Sequence, residues 1–169
     1  MKTNAMQWHV KNRNSPECRA IADRHYSRQT IGAPGFVPPG RCIVLYQQNA
    51  LWVTSWPFSA YVRHAWPGAW INSCFRNEGA RLSSKLIREA VAATRWIWPD
   101  VPDIGMVTFV DASKVRKKRD PGRCYIRAGF RRIGCTKGGL HALGITADDM
   151  PKAEQPLGTT GSLFAAGDQ

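Results

Sequence analysis

Tyr125 stands between Arg123 and Arg127 in a short helical pattern, where a phenol can give up a proton or orient a reacting group. Guanidinium groups touching a phenol favour the phenolate, so contact with these arginines would lower its pKa. The same side chain would alternatively serve as a packing residue. Asp111 follows directly on the apolar run 104–110. A carboxylate there can act as base or hold an exocyclic amine, or it can simply turn the chain. Glu78 is a second carboxylate with the same options. His25 and Tyr26 pair an imidazole that titrates near neutral pH with a ring able to stack on a base; a histidine there also suits a helix C-terminus. Phenol, carboxylate and imidazole are the groups needed to move protons at an amine.

The charge says where such chemistry would act. The net charge is +12, and residues 114–137 hold ten Lys or Arg against one acid, Asp120. That segment alone carries +9, leaving +3 for the rest of the chain. A focused patch makes a directional field toward a polyanion, and Lys114, Arg116, Lys117, Lys118, Arg119 and Arg123 are the expected phosphate contacts on double-stranded DNA. The plainer reading is a solvated loop and helix face. Of the tryptophans, Trp66 and Trp70 flank Pro67-Gly68 and could stack a displaced base; the others read as core. Cys18, Cys42, Cys74, Cys124 and Cys135 contain no C-x-x-C pair, so small buried thiols are expected, with neither a zinc site nor a disulfide framework.

These groups need elements to hold them. Ser15 and Pro16 open a helix that should run to about Tyr26. Residues 31–40 are a Gly/Pro-rich loop, and loops of that length are often functional. Residues 41–47 and 51–57 predict a hairpin turning near Asn49, and 69–75 a further strand. A polar loop then leads to Ser83, the expected N-cap of a strong helix through about Trp98, stopped by Pro99. The run 104–110 reads as a strand buried on both faces. Asp120 as N-cap, Pro121 behind it and Gly129 as terminator frame the short helix that carries Tyr125. Residues 130–135 and 140–143 close with a hairpin at Gly138-Gly139. The order predicts an α+β fold, a mixed, mostly antiparallel sheet covered by helices, in one domain over 1–149 with an irregular or surface-strapped tail over 150–169. No apolar run approaches a bilayer span and the N-terminus lacks a secretory apolar stretch, so no membrane partner and a cytoplasmic location are expected.

Tyr125-x-x-x-Gly129-Phe130 after a buried strand resembles the last helix of the GNAT-type N-acyltransferases, whose tyrosine protonates a leaving thiolate. Arg76-x-x-Gly79-x-Arg81 followed by Ser83-Ser84 is similar to the GNAT loop Gln/Arg-x-x-Gly-x-Gly/Ala, in which backbone N–H groups and the helix N-terminus hold a pyrophosphate. Arg81 replaces the final small residue, which implies either a phosphate-neutralising role or a departure from ordinary coenzyme A binding. The GNAT likeness also implies an acceptor pocket near His25-Tyr26.

Over residues 23–143 the chain resembles the Mom family of bacteriophage DNA-modification proteins. The resemblance rests on His25-Tyr26-Ser27-Arg28, Arg76-Asn77-Glu78-Gly79, Leu82-Ser83-Ser84, residues 111–115, and Lys118-Arg119-Asp120-Pro121-Gly122 leading to Ala128-Gly129-Phe130. It implies a GNAT-like fold and conversion of adenine to N6-(carbamoylmethyl)adenine, which shields DNA from host restriction. A methylene on N6 is not the product of simple acetyl transfer. An acetyl-coenzyme A route needs later oxidation and amination, which a single bound metal ion could assist. A glycyl donor such as glycyl-tRNA needs neither: after transfer to N6, its free amine attacks C6 and expels the original nitrogen as the carboxamide. The alternatives are a GNAT acetyltransferase acting on a protein or small amine, and a DNA-binding module without catalysis.

Overall fold

The sheet grows outward from one long hairpin. β2 (Arg41–Gln47) and β3 (Ala50–Trp56) pair antiparallel over their whole length, and Asn49 turns the chain with φ +67°. Asn tolerates that left-handed conformation because its short polar side chain bonds locally. Strict alternation sorts the two strands. Ile43, Leu45, Ala50 and Trp52 face one core, while Val44, Leu51 and Val53 face another on the opposite side.

This computed structural model describes residues 5–114 and 122–159. Around the hairpin it adds β1 (His9–Lys11), α1 (Pro16–Ala22), β4 (Trp70–Asn77), α2 (Ser83–Ile97), β5 (Met106–Val110), α3 (Arg123–Arg127), β6 (Arg131–Cys135) and β7 (His141–Ile145). The seven strands lie in the order β1-β2-β3-β4-β5-β7-β6, and every neighbouring pair is antiparallel except β4 with β5. The molecule is thus a single α+β domain with a mostly antiparallel open sheet. α2 and α3 pack on the face with Trp52, Trp70 and Met106; α1 packs on the other face with Val44, Leu51 and Val53.

Some boundaries differ from the sequence reading, each for a local reason. α1 stops at Ala22, where Asp23 is the C-cap, and residues 24–28 continue as turns. Ser15 occupies the N-cap position of α1 without a side-chain cap bond. Ser83 is the first helical residue of α2 and not its cap; Leu82 holds the cap position, and the loop before it is tied by Asn77 instead. Gly122 is the N-cap of α3; Asp120 and Pro121 lie outside the described residues. Gly129 has φ +106°, as a helix-ending glycine should. β1 is too short to show a sequence pattern. It is held by β2 on one side and by Leu157 of the tail on the other. Residues 150–159 run irregularly against α2 and β1, with Glu154 N–H donating to Ala92 O and Leu157 N–H to Trp8 O. Among the described residues no helix is long and apolar enough to cross a membrane.

Candidate active site between two diverging strands

The parallel pair β4–β5 is joined at only three rungs, Trp70–Met106, Ile71–Val107 and Asn72–Thr108. Both strands continue beyond the last rung, to Asn77 and Val110, without pairing further. They diverge and leave a cleft. The divergence starts at a bulge: opposite β4, Val53 pairs with Cys74 and Thr54 with Asn72, so Ser73 is the extra residue. The extra residue inverts the alternation of β4. Before it, Trp70 faces the α2 core and Ile71 the opposite face; after it, Phe75 faces the α2 core and Cys74 the α1 side.

Asn72, at the last rung, is buried and fully committed. Its Nδ2 donates to Val53 O and Cys74 O, both at 3.0 Å. That fixes the orientation of the amide, so Oδ1 must accept. It accepts from Tyr125 Oη at 2.6 Å and from Thr108 Oγ1 at 3.1 Å. The phenolic proton of Tyr125 is therefore directed at Asn72, and its oxygen has acceptor capacity left for the cleft. Tyr125 is 8% exposed and packs among Trp52, Phe75 and Phe130. The expected lowering of its pKa is not what the fold produces. Burial pushes the phenol well above its ordinary value, and Arg123 and Arg127 are at exposed positions on the same helix.

Three cavities open around this point. One, of about 160 Å³, is lined by His25, Tyr26, Asn72, Ser73, Thr108 and Tyr125. A second, of about 370 Å³, reaches His25, Tyr26, Ser73, Asp111 and Lys114. A third, of about 410 Å³, lies under the Gly/Pro-rich loop beside Arg28, Ser73 and Cys74. Arg28 pins that loop, donating to Gly35 O and Ala33 O while its Nε bonds Asp23 Oδ1 at 2.7 Å.

The structure thus brings Tyr125, Asp111, His25 and Tyr26 to one place. Tyr26 stacks on His25, and its oxygen accepts from the Asp111 N–H at 3.4 Å. The Asp111 carboxylate accepts from Ser113 N–H and Oγ, which with Lys114 holds its pKa below the ordinary value. His25 does not titrate near neutral pH as expected. Burial, aided by the charge of Arg76, lowers it to about 4. Its Nδ1 accepts from Ser27 N–H at 3.2 Å and lies 2.7 Å from Ser27 Oγ, so the neutral ring is a fixed acceptor there.

Part of the loop expected to hold a pyrophosphate is tied to its own residues. The N–H groups of Gly79 and Ala80 both donate to Asn77 Oδ1, at 3.1 and 2.9 Å. Ser83 Oγ is bonded by Asn77 Nδ2, and Ser84 follows in the first turn of α2. Arg76 pairs with Glu78, and Arg81 with Glu89 through both carboxylate oxygens. Gly79 and Ala80 would have to release Asn77 before their N–H groups could hold a pyrophosphate. The described region does not fit the metal ion considered above, since among the described residues no three His, Cys, Asp or Glu side chains converge. Arg116, Lys117, Lys118 and Arg119 lie outside the described residues, while Lys114 and Arg123 are exposed. Trp70 is fully buried and cannot stack a base; Trp66 packs on Phe109 and His64. Among the described residues the most exposed aromatics are Tyr61, 82% exposed, and Phe58, 62% exposed, and Tyr26 is 41% exposed.

Asn72, Ser73 and Thr108 escaped the sequence reading. Their signal was there: three polar residues within the mostly apolar stretches 69–75 and 104–110, where each needs a partner or a purpose.

Glu78 ties β4 to the turn that follows α1, bonding Arg76 and Arg24 at 2.6–2.7 Å. These partners hold its pKa at about 2, below its ordinary 4.5. A depressed carboxylate pKa means stability that is fully present above about pH 4.5 and lost as pH falls toward 2. Unfolding melts between pH 6 and 2.5 should show this loss, and Glu78→Gln should flatten the curve in that window.

Comparison with protein-family models, with curated proteins and with solved structures finds no match to this chain.

Proposed function

We propose that the protein modifies the exocyclic amine of adenine in double-stranded DNA, giving N6-(carbamoylmethyl)adenine in the manner of the Mom proteins it resembles. One observation carries the polyanion half of this reading. Lys114 and Gly122, the residues flanking 115–121, each line a cavity of the cleft. The seven residues between them include Arg116, Lys117, Lys118 and Arg119. The sequence thus sets four cations between two residues of the cleft, which supports a phosphate-binding segment. Phosphates held there would bring a flipped base to the cavities, at a cost of a few kcal/mol for unstacking.

The GNAT-like part of the reading is supported by two segments that border one cleft in the expected order. These are the strand–loop–helix at 70–97 and the helix with Tyr125 that leads into Gly129 and Phe130. Within it, Tyr125 orients the acceptor amine through its free oxygen lone pairs, and Asp111 and the neutral His25 border the same space. Tyr26, 41% exposed and lining two of the cavities, takes the role of stacking the base or filling its gap. The donor is an acyl donor, acetyl-coenzyme A or an activated glycyl group such as glycyl-tRNA. Arg81 in place of the loop's final small residue, with Gly79 and Ala80 already bonded to Asn77, favours the second.

Nucleoside mass spectrometry of DNA from cells expressing the chain tests this. Adenosine carrying the mass of a carbamoylmethyl group is expected. Unchanged adenosine, with acetylated protein or amine instead, would assign the cleft to an ordinary acetyltransferase.

A further inference from the structure

Ser73 is the bulged residue of β4, lines all three cavities, and carries a buried hydroxyl without a hydrogen-bond partner among the described residues. Buried polar atoms are almost always satisfied, and one that is not calls for a reason. Bulges next to sites re-aim a side chain. The hydroxyl is a rotor that can turn to any staggered position, donating one hydrogen bond to whatever acceptor enters.

Its neighbour in the smallest cavity fixes what would match. The Tyr125 proton is committed to Asn72, so the phenol offers only acceptor lone pairs. Acceptor and donor therefore line one cavity together. An amidine edge presents the complement, an N–H of an exocyclic amine beside a ring nitrogen acceptor. Adenine has it at N6 and N1 and cytosine at N4 and N3, whereas guanine and thymine present the reverse order on that edge.

Resting on the adenine reading above, we infer that Ser73 is a specificity residue that donates its hydroxyl proton to N1 of the flipped adenine while Tyr125 accepts from N6. Flipped bases are read on this edge in general. The hydroxyl then has no partner among the described residues because its partner is the substrate.

The test compares wild-type protein and Ser73→Ala on duplexes carrying, opposite an abasic position, either adenine or 1-deazaadenine, which lacks only the ring acceptor. Wild type should bind the adenine duplex roughly 10-fold more tightly, since one buried hydrogen bond is at stake. Ser73→Ala should bind both alike. In cells it should lower adenine modification by about 10-fold or more. Its melting temperature should equal or exceed that of wild type, because it removes an unsatisfied polar atom. A marked fall in melting temperature would make Ser73 structural and overturn the inference. So would a wild-type protein indifferent to 1-deazaadenine, even if Ser73→Ala impaired modification, for the hydroxyl would then face another group. If wild type leaves adenine unmodified in cells, the adenine reading itself fails and this inference falls with it.

Discussion

Asn72→Ala should destabilise the protein by about 3–5 kcal/mol in urea unfolding, which is a large share of the stability of a typical domain. One small truncation would leave three groups without their partner. The carbonyls of Val53 and Cys74 lose their donor and the hydroxyl of Tyr125 loses its acceptor, while Thr108 keeps the Asn72 backbone carbonyl at 3.2 Å. All lie where β4 stops pairing with β5, so water cannot replace the bonds without opening the sheet. Each buried polar group left unmet costs on the order of 1–3 kcal/mol. Asn72→Asp should be nearly as damaging, because a carboxylate has no proton to offer the two carbonyls. A loss below about 1 kcal/mol for Asn72→Ala would mean that this amide does not organise the cleft.

Tyr125→Phe cuts the same network from its other end, with the opposite balance of effects. Asn72 Oδ1 keeps the Thr108 hydroxyl as a donor, and the ring keeps its contacts with Trp52, Phe75 and Phe130. The stability cost should stay near 1 kcal/mol. Modified adenosine per expressed protein should fall by about 10²-fold, because the group that orients the amine is gone. Asp111→Asn should fall less, its carboxylate being held by Ser113 on the rim. Equal losses of fold and activity in Tyr125→Phe would assign the tyrosine to packing alone.

The parts of the fold legible in the sequence were those written in local chemistry. β2 was read to the residue because its apolar run is bounded by Gly40 and a turn at Asn49. α2 was readable because Pro99 stops it and its apolar stripe repeats at helical spacing. β1 was missed because three residues carry no period, and its partners lie far along the chain in β2 and at Leu157. The site was half legible. Tyr125, Asp111, His25 and Tyr26 were chosen by residue type and do meet at one cleft. Their protonation was misjudged, since it depends on burial and on partners such as Asn72 and Ser27 that spacing does not reveal. The loop at 76–84 matched a phosphate cradle by pattern, yet Asn77 lies within that pattern and occupies two of its donors, the N–H groups of Gly79 and Ala80.

The three-rung join of β4 to β5 has a mechanical side. On one flank of it stand β1 to β4 and on the other β5 to β7, and beyond Asn72 no further β4–β5 rung joins the flanks among the described residues. A molecule lodged in the wedge would touch Ser73 on one flank and Tyr125 and Thr108 near the other. Its binding energy would then act as cohesion across a seam, in proportion to occupancy. Amide exchange would sense this in both flanks at once, slowing in residues that never meet the ligand. Occupied and empty protein would differ less in shape than in how readily the two flanks breathe apart.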